Sequence, residues 1–250
     1  MTRALNSLFR FGAVSFGLML AAGGIQPASS YAARLLQVET GQGAAANADK
    51  LLYADFENVQ NGRPVSSRNG LVQLTSYEET ATRPSRFKGA EGSSPPAPEI
   101  VRLKQDDPNR AIAFDYELQS PNQYAGVTVE VHGQADKDGK RVADDVSAYR
   151  FLTMQVYATG VSSLRAEFVS RGNGIELASG YPQAAFKITP GLNTYRISLK
   201  SIVQPSWSQP RVGAKDVLRK LTAITLTASC DQCASPLKGT VIVDNIAFEK

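Results

Sequence analysis

From residue 51 onward, apolar and polar residues alternate in short runs separated by turn residues. A period of two is the signature of half-buried strands. It predicts strands at 51–57, 71–75, 111–118, 124–132, 151–158, 164–170, 184–189, 194–199, 221–229 and 240–249. Only 216–220 reads as a helical turn, and no segment of 10–15 residues with helical periodicity separates the strands. The polar stretch 78–99, with Ser93-Ser94-Pro95-Pro96-Ala97-Pro98, reads as irregular chain. Many short strands with regular turn signals predict an all-β sandwich or barrel rather than a parallel α/β fold.

The alternation also sorts faces. In 151–158, Leu152, Met154, Val156 and Ala158 oppose Phe151, Thr153, Gln155 and Tyr157. In 164–170, Leu164, Ala166 and Phe168 oppose Arg165 and Glu167. In 124–131, Val127, Val129 and Val131 oppose Tyr124, Gly126, Thr128 and Glu130. These three consecutive strands are expected to share one apolar core face and one polar face.

The first 50 residues follow different rules. Arg3 and Arg10 precede the apolar run 11–22, which is too short to span a bilayer, and Gly23, Gly24 and Pro27 follow it. Ser30-Tyr31-Ala32 supplies the small residues that a signal peptidase requires. Residues 1–32 are therefore read as a signal peptide, 33–50 as a flexible Ala/Gly-rich linker, and 51–250 as one domain. The expected destination is the periplasm or the medium, with no membrane span in the mature protein.

Residues 1–32 hold two arginines and no acidic residue, so 25 basic and 23 acidic residues remain beyond them. That balance argues against nucleic acid or an anionic membrane as partner. In an oxidising compartment, Cys230 and Cys233 form a local disulfide on the plainest reading. A redox pair would open a helix, whereas these two sit between strand-like segments beside Pro236.

Three signatures occur in order: Ala54-Asp55-Phe56-Glu57, then Asp145-Val146-Ser147-Ala148-Tyr149-Arg150-Phe151-Leu152-Thr153-Met154-Gln155-Val156, then Val243-Asp244-Asn245-Ile246-Ala247-Phe248-Glu249. Together they resemble the galactose-binding-like jelly rolls, in particular family 11 carbohydrate-binding modules and the complex I intermediate-associated protein 30 family. The resemblance covers 51–250 and implies a jelly-roll β-sandwich. It also implies a structural calcium near the paired first and last strands, for which Glu57 and Asp244 are the oxygen donors this sequence offers; both could instead bond only to backbone. No cofactor is required. Within the signatures, Asp145 and Ser147 are suited to fix a turn, and Asp244-Asn245 interrupts an apolar alternation as a β-bulge would.

No catalytic constellation is legible. The single histidine, His132, stands alone, and no glycine loop that could cradle a phosphate opens a helix. The expectation is a binding protein and not an enzyme. Sugar binding needs aromatic faces and hydrogen-bonding side chains. Tyr124, Tyr157 and Trp207 are the candidate platforms, and Thr128, Gln155, Arg165 and Glu167 the candidate polar partners. A carbohydrate such as a β-glucan is the first expected ligand, and a cell-envelope protein partner the alternative.

Overall fold

The structure is a computed structural model that describes residues 49–76, 86–88 (backbone only), 96–104, 106–119, 121–133, 138, 140–229 and 236–250. The proposed signal peptide, most of the linker and both cysteines lie outside the described residues.

The described strands are β1 (Lys50–Ala54), β2 (Val59–Gln60), β3 (Arg63–Pro64), β4 (Val72–Ser76), β5 (Arg86–Lys88), β6 (Glu99–Arg102), β7 (Arg110–Leu118), β8 (Tyr124–Glu130), β9 (Phe151–Ala158), β10 (Ser163–Val169), β11 (Gln183–Lys187), β12 (Asn193–Ser198), β13 (Ala223–Ser229) and β14 (Leu237–Glu249). A single 3-10 turn (Leu199–Ser201) follows β12, and one short α-helix, α1 (Ala214–Arg219), precedes β13. All ten predicted strands are present within a few residues. The stretch expected to be irregular nonetheless contributes β5 and leads directly into β6, both of which pair with β7. Their register comes from a long-range partner, which local composition does not encode.

Two sheets form a sandwich. One has seven strands, with the path β12-β9-β14-β7-β5, β1 added on β14 and β6 on β7; the other has the order β11-β10-β13-β8-β4. Every pairing between named strands is antiparallel. The core lies between the sheets. Val127 and Val129 of β8, Leu164, Ala166 and Phe168 of β10, and Ile224 and Leu226 of β13 meet Ile112 and Phe114 of β7, Leu152, Met154 and Val156 of β9, and Val241 and Val243 of β14. Each is essentially solvent-free, and burying one such side chain contributes about 1.5–3 kcal/mol.

The alternation of β9 holds: Leu152, Met154 and Val156 face the core. Its sheet does not match expectation. β9 pairs with β12 and β14 in the seven-stranded sheet, whereas β8 and β10 belong to the five-stranded one. The polar faces of these consecutive strands therefore lie on opposite outsides of the sandwich. Gln155 and Tyr157 are separated from Tyr124, Thr128, Arg165 and Glu167 by the whole core. Tyr157 packs against a small apolar cluster of Ala111, Ala113, Leu103 and Ile242.

Candidate functional site

The outer face of the five-stranded sheet carries a cleft of about 550 Å³. Its floor follows from register. Gln183 of β11, Glu167 of β10, Thr225 of β13, Thr128 of β8 and Gln73 of β4 stand opposite one another in sequence, forming a row of hydrogen-bonding side chains across all five strands. The next row runs Ala185, Arg165, Thr227, Gly126, Thr75. These residues share a face because each strand alternates, and their neighbours Val127, Phe168, Ile224 and Leu226 fill the core.

Within the first row, Thr128 Oγ1 and Thr225 Oγ1 are 3.0 Å apart. Glu167 Oε1 accepts the backbone N–H of Tyr181 at 2.7 Å. Burial pushes the Glu167 carboxyl above its usual range; the backbone N–H groups of Tyr181 and Gly180 and the charges of Arg165 and Arg171 pull the other way. Further along β8, Glu130 is paired with Arg141 at 2.6 Å.

One wall is built from 178–181 and the loop after β12. Trp207 lines the cleft with two-thirds of its surface exposed (66%). The loop is tied to itself. Gln204 Nε2 donates to Ser208 Oγ and Pro210 O, Val212 N donates to Gln204 Oε1, and the Arg211 guanidinium donates to the carbonyls of Gln204, Pro205 and Ser206. Ser208 Oγ donates to Ser179 O at 2.9 Å, anchoring the loop to the wall. Gly180 has φ +74°, and a methyl group there would stand 2.6 Å from Trp207 Cη2.

Five of the seven expected ligand residues thus line one cleft: Tyr124, Thr128, Arg165, Glu167 and Trp207. Gln155 and Tyr157 do not. Sequence reasoning missed Gln73, Gln183, Thr225 and Arg171, which line it too. Period-two alternation in 71–75 and 221–229 held the signal for Gln73 and Thr225. For Arg171 in its loop there was none.

Glu57 and Asp244 lie elsewhere, beside β7 and β14, and both carboxylates are occupied by protein donors. Glu57 Oε1 accepts Arg110 N at 2.6 Å. Asp244 Oδ1 accepts Asn245 N, and Oδ2 accepts the side-chain amides of Asn109 and Asn245. Among the described residues there is no group of three or more His, Cys, Asp or Glu side chains able to hold a metal. The surroundings of Asp244 are mixed: both of its oxygens accept N–H donors, while the carboxylates of Glu57 and Asp55 lie close enough to act on its charge. Burial pushes Asp244 up to about 6, and the nearby charges of Glu57 and Asp55 push the same way, against the two asparagine bonds.

The other signature residues behave as their chemistry suggests. Asp145 Oδ1 accepts Ser147 N at 2.9 Å and Ser147 Oγ at 2.7 Å, fixing the turn ahead of β9, and these bonds hold its carboxyl below the usual range. Asp244-Asn245 is a β-bulge: the register with β9 shifts between Asp244 and Ala247, and Asn245 has φ 52°. His132 Nε2 lies 3.1 Å from Asp144 Oδ1, whose second oxygen pairs with Arg68.

No family model matches this sequence. No curated protein matches it. Among solved structures, the chain is similar to the family 11 carbohydrate-binding module of a cellulosomal cellulase of Clostridium thermocellum, with a TM-score of 0.50 and 13% identity over 82% of this chain and 96% of that one. It is likewise similar to a family 11 module from Clostridium thermocellum in complex with a β-1,3-1,4-mixed-linked tetrasaccharide, with a TM-score of 0.50 and 14% identity over 82% and 97% of the two chains. At such identity the likeness concerns the fold. With its two antiparallel sheets packed face to face, the chain is a jelly-roll β-sandwich with the fold of family 11 carbohydrate-binding modules.

Proposed function

We propose that this chain is an exported, non-catalytic protein that binds a carbohydrate chain in the cleft on the five-stranded sheet. The observation that carries the reading is the row Gln183, Glu167, Thr225, Thr128, Gln73 beside an exposed indole. Sugar rings offer a C–H face for an aromatic platform and a rim of hydroxyls for donors and acceptors. The cleft supplies both, on rigid strands and a self-bonded loop. The family 11 module solved with a mixed-linked tetrasaccharide supports the same class of ligand. Export is supported by the pattern of residues 1–32, and among the described residues no helix is long and apolar enough to cross a membrane.

A net of about 1 kcal/mol per hydrogen bond or aromatic contact yields micromolar to millimolar affinity from a few contacts. Calorimetry against a panel of soluble polysaccharides and oligosaccharides tests the reading. Binding should be present in the wild type and weakened about tenfold in Gln73→Ala and Gln183→Ala, with no reducing sugar released. Equal binding by wild type and both variants places the ligand elsewhere. An empty panel at millimolar concentration removes the carbohydrate reading and leaves an envelope protein as partner, which a pull-down from envelope extract would find.

A further inference from the structure

Five charged side chains line the cleft among the described residues: Arg141, Arg165, Arg171, Glu130 and Glu167. They are not evenly matched. Arg141 is neutralised by Glu130 at 2.6 Å. Glu167 turns to the wall, where one oxygen takes Tyr181 N at 2.7 Å. Neither Arg165 nor Arg171 forms a direct ion pair among the described residues, although both act on the Glu167 charge and Arg171 bonds the Tyr181 side chain. Arg165 Nε is closed off from solvent without an acceptor, and so is Oγ1 of Thr227 directly opposite it on β13.

The row around Arg165 leaves it space. Its companions are Ala185, Thr227, Gly126 and Thr75, all small. Gly126 is obligatory there, because an added Cβ would stand 2.1 Å from Leu226 O. Arg165 is thus the one long side chain in its row, half-buried but flanked there only by small residues.

We propose that the glycan bound in this cleft is anionic, a uronic-acid-containing polysaccharide whose carboxylates are held by Arg165 and Arg171. The inference rests on the carbohydrate reading above and fixes the ligand's charge. A neutral sugar closing over these guanidinium groups would strip their water and return no counter-charge. A carboxylate returns both a charge and two coplanar acceptors matched to the guanidinium fork. Glu167 supplies one counter-charge to the two guanidinium groups, and its Oε1 is already taken by Tyr181 N.

The test is calorimetry with oligogalacturonate, alginate oligomers and glucuronate-containing oligosaccharides. Each is compared with its carboxyl-reduced counterpart and with neutral mixed-linked β-glucan, at low and high salt. A uronate should bind at least about tenfold more tightly than its reduced counterpart, and the advantage should shrink at high salt. Arg165→Gln and Arg171→Gln should each erase most of that advantage, and Arg165→Lys should retain part of it. Melting curves verify that the variants fold. If Arg165→Gln does not fold, the exposed Arg171 decides through its own variant. Equal affinity for a neutral glycan and every uronate overturns the proposal and leaves the carbohydrate reading standing. So does wild-type uronate binding by both glutamine variants. Absence of binding to every glycan overturns both.

Discussion

Trp207 is positioned by a residue without a side chain. Its ring edge lies where a Cβ on Gly180 would be, and Gly180 adopts a positive φ that other residues avoid. Gly180→Ala is therefore expected to cost about 1 kcal/mol or more from the backbone alone and to displace the indole. Because Trp207 is the only tryptophan in the chain, its fluorescence maximum and quenching report that displacement without ambiguity. Trp207→Ala is expected to behave in the opposite way. The residue is 66% exposed, so stability should change by no more than about 0.5 kcal/mol. Ligand affinity should fall about tenfold, the loss of one aromatic platform. A melting curve and a titration on the same preparation separate the two effects.

Within β14, one buried acid makes the fold sensitive to pH. Asp244 has no exposed surface, and its carboxyl is pushed from the usual 3.8 to about 6. Below about pH 4 the folded and unfolded chains both hold this proton and no cost arises. Between about pH 4 and pH 6 the unfolded chain releases the proton while the folded chain retains it, so stability falls as pH rises, by about 3 kcal/mol in all. Urea unfolding from pH 4 to 7.5 in the presence of a chelator should show wild type losing stability relative to Asp244→Asn across that window. A constant difference between the two would contradict this assignment. The bulge holding Asp244 was legible in the sequence because Asp244-Asn245 breaks an apolar alternation. The boundaries of β9 were legible too, since eight residues of strict alternation leave little freedom. β2 and β3 were not legible, because each is two residues long and a period of two cannot be read from two positions.

The whole sandwich explains the main misplacement. Alternation states which side chains face the core, but both sheets present an apolar face to the same core. The pattern is therefore identical whichever sheet a strand joins. The chain passes from β8 to β9 to β10 by crossing to the other sheet and back, which carries Gln155 and Tyr157 to the far side of the molecule. Four of the expected residues, Tyr124, Thr128, Arg165 and Glu167, nonetheless line one cleft, because β8 and β10 do share a sheet, with β13 between them. At this scale belongs the export reading as well: protein recovered from periplasm or medium should begin at Ala33 on N-terminal sequencing, and soluble material retaining Met1 would contradict it.

The row of polar side chains that crosses all five strands also acts as a ruler. Adjacent strands are ~4.8 Å apart, so five of them set contact points over ~19 Å. An extended polymer lying along the row gains one contact for each strand it reaches. Affinity should therefore climb in steps as oligomers lengthen and level off once a ligand spans from Gln73 to Gln183. A monosaccharide cannot reach across this ruler, so under the proposed function the sheet would sense polymer length as much as sugar identity.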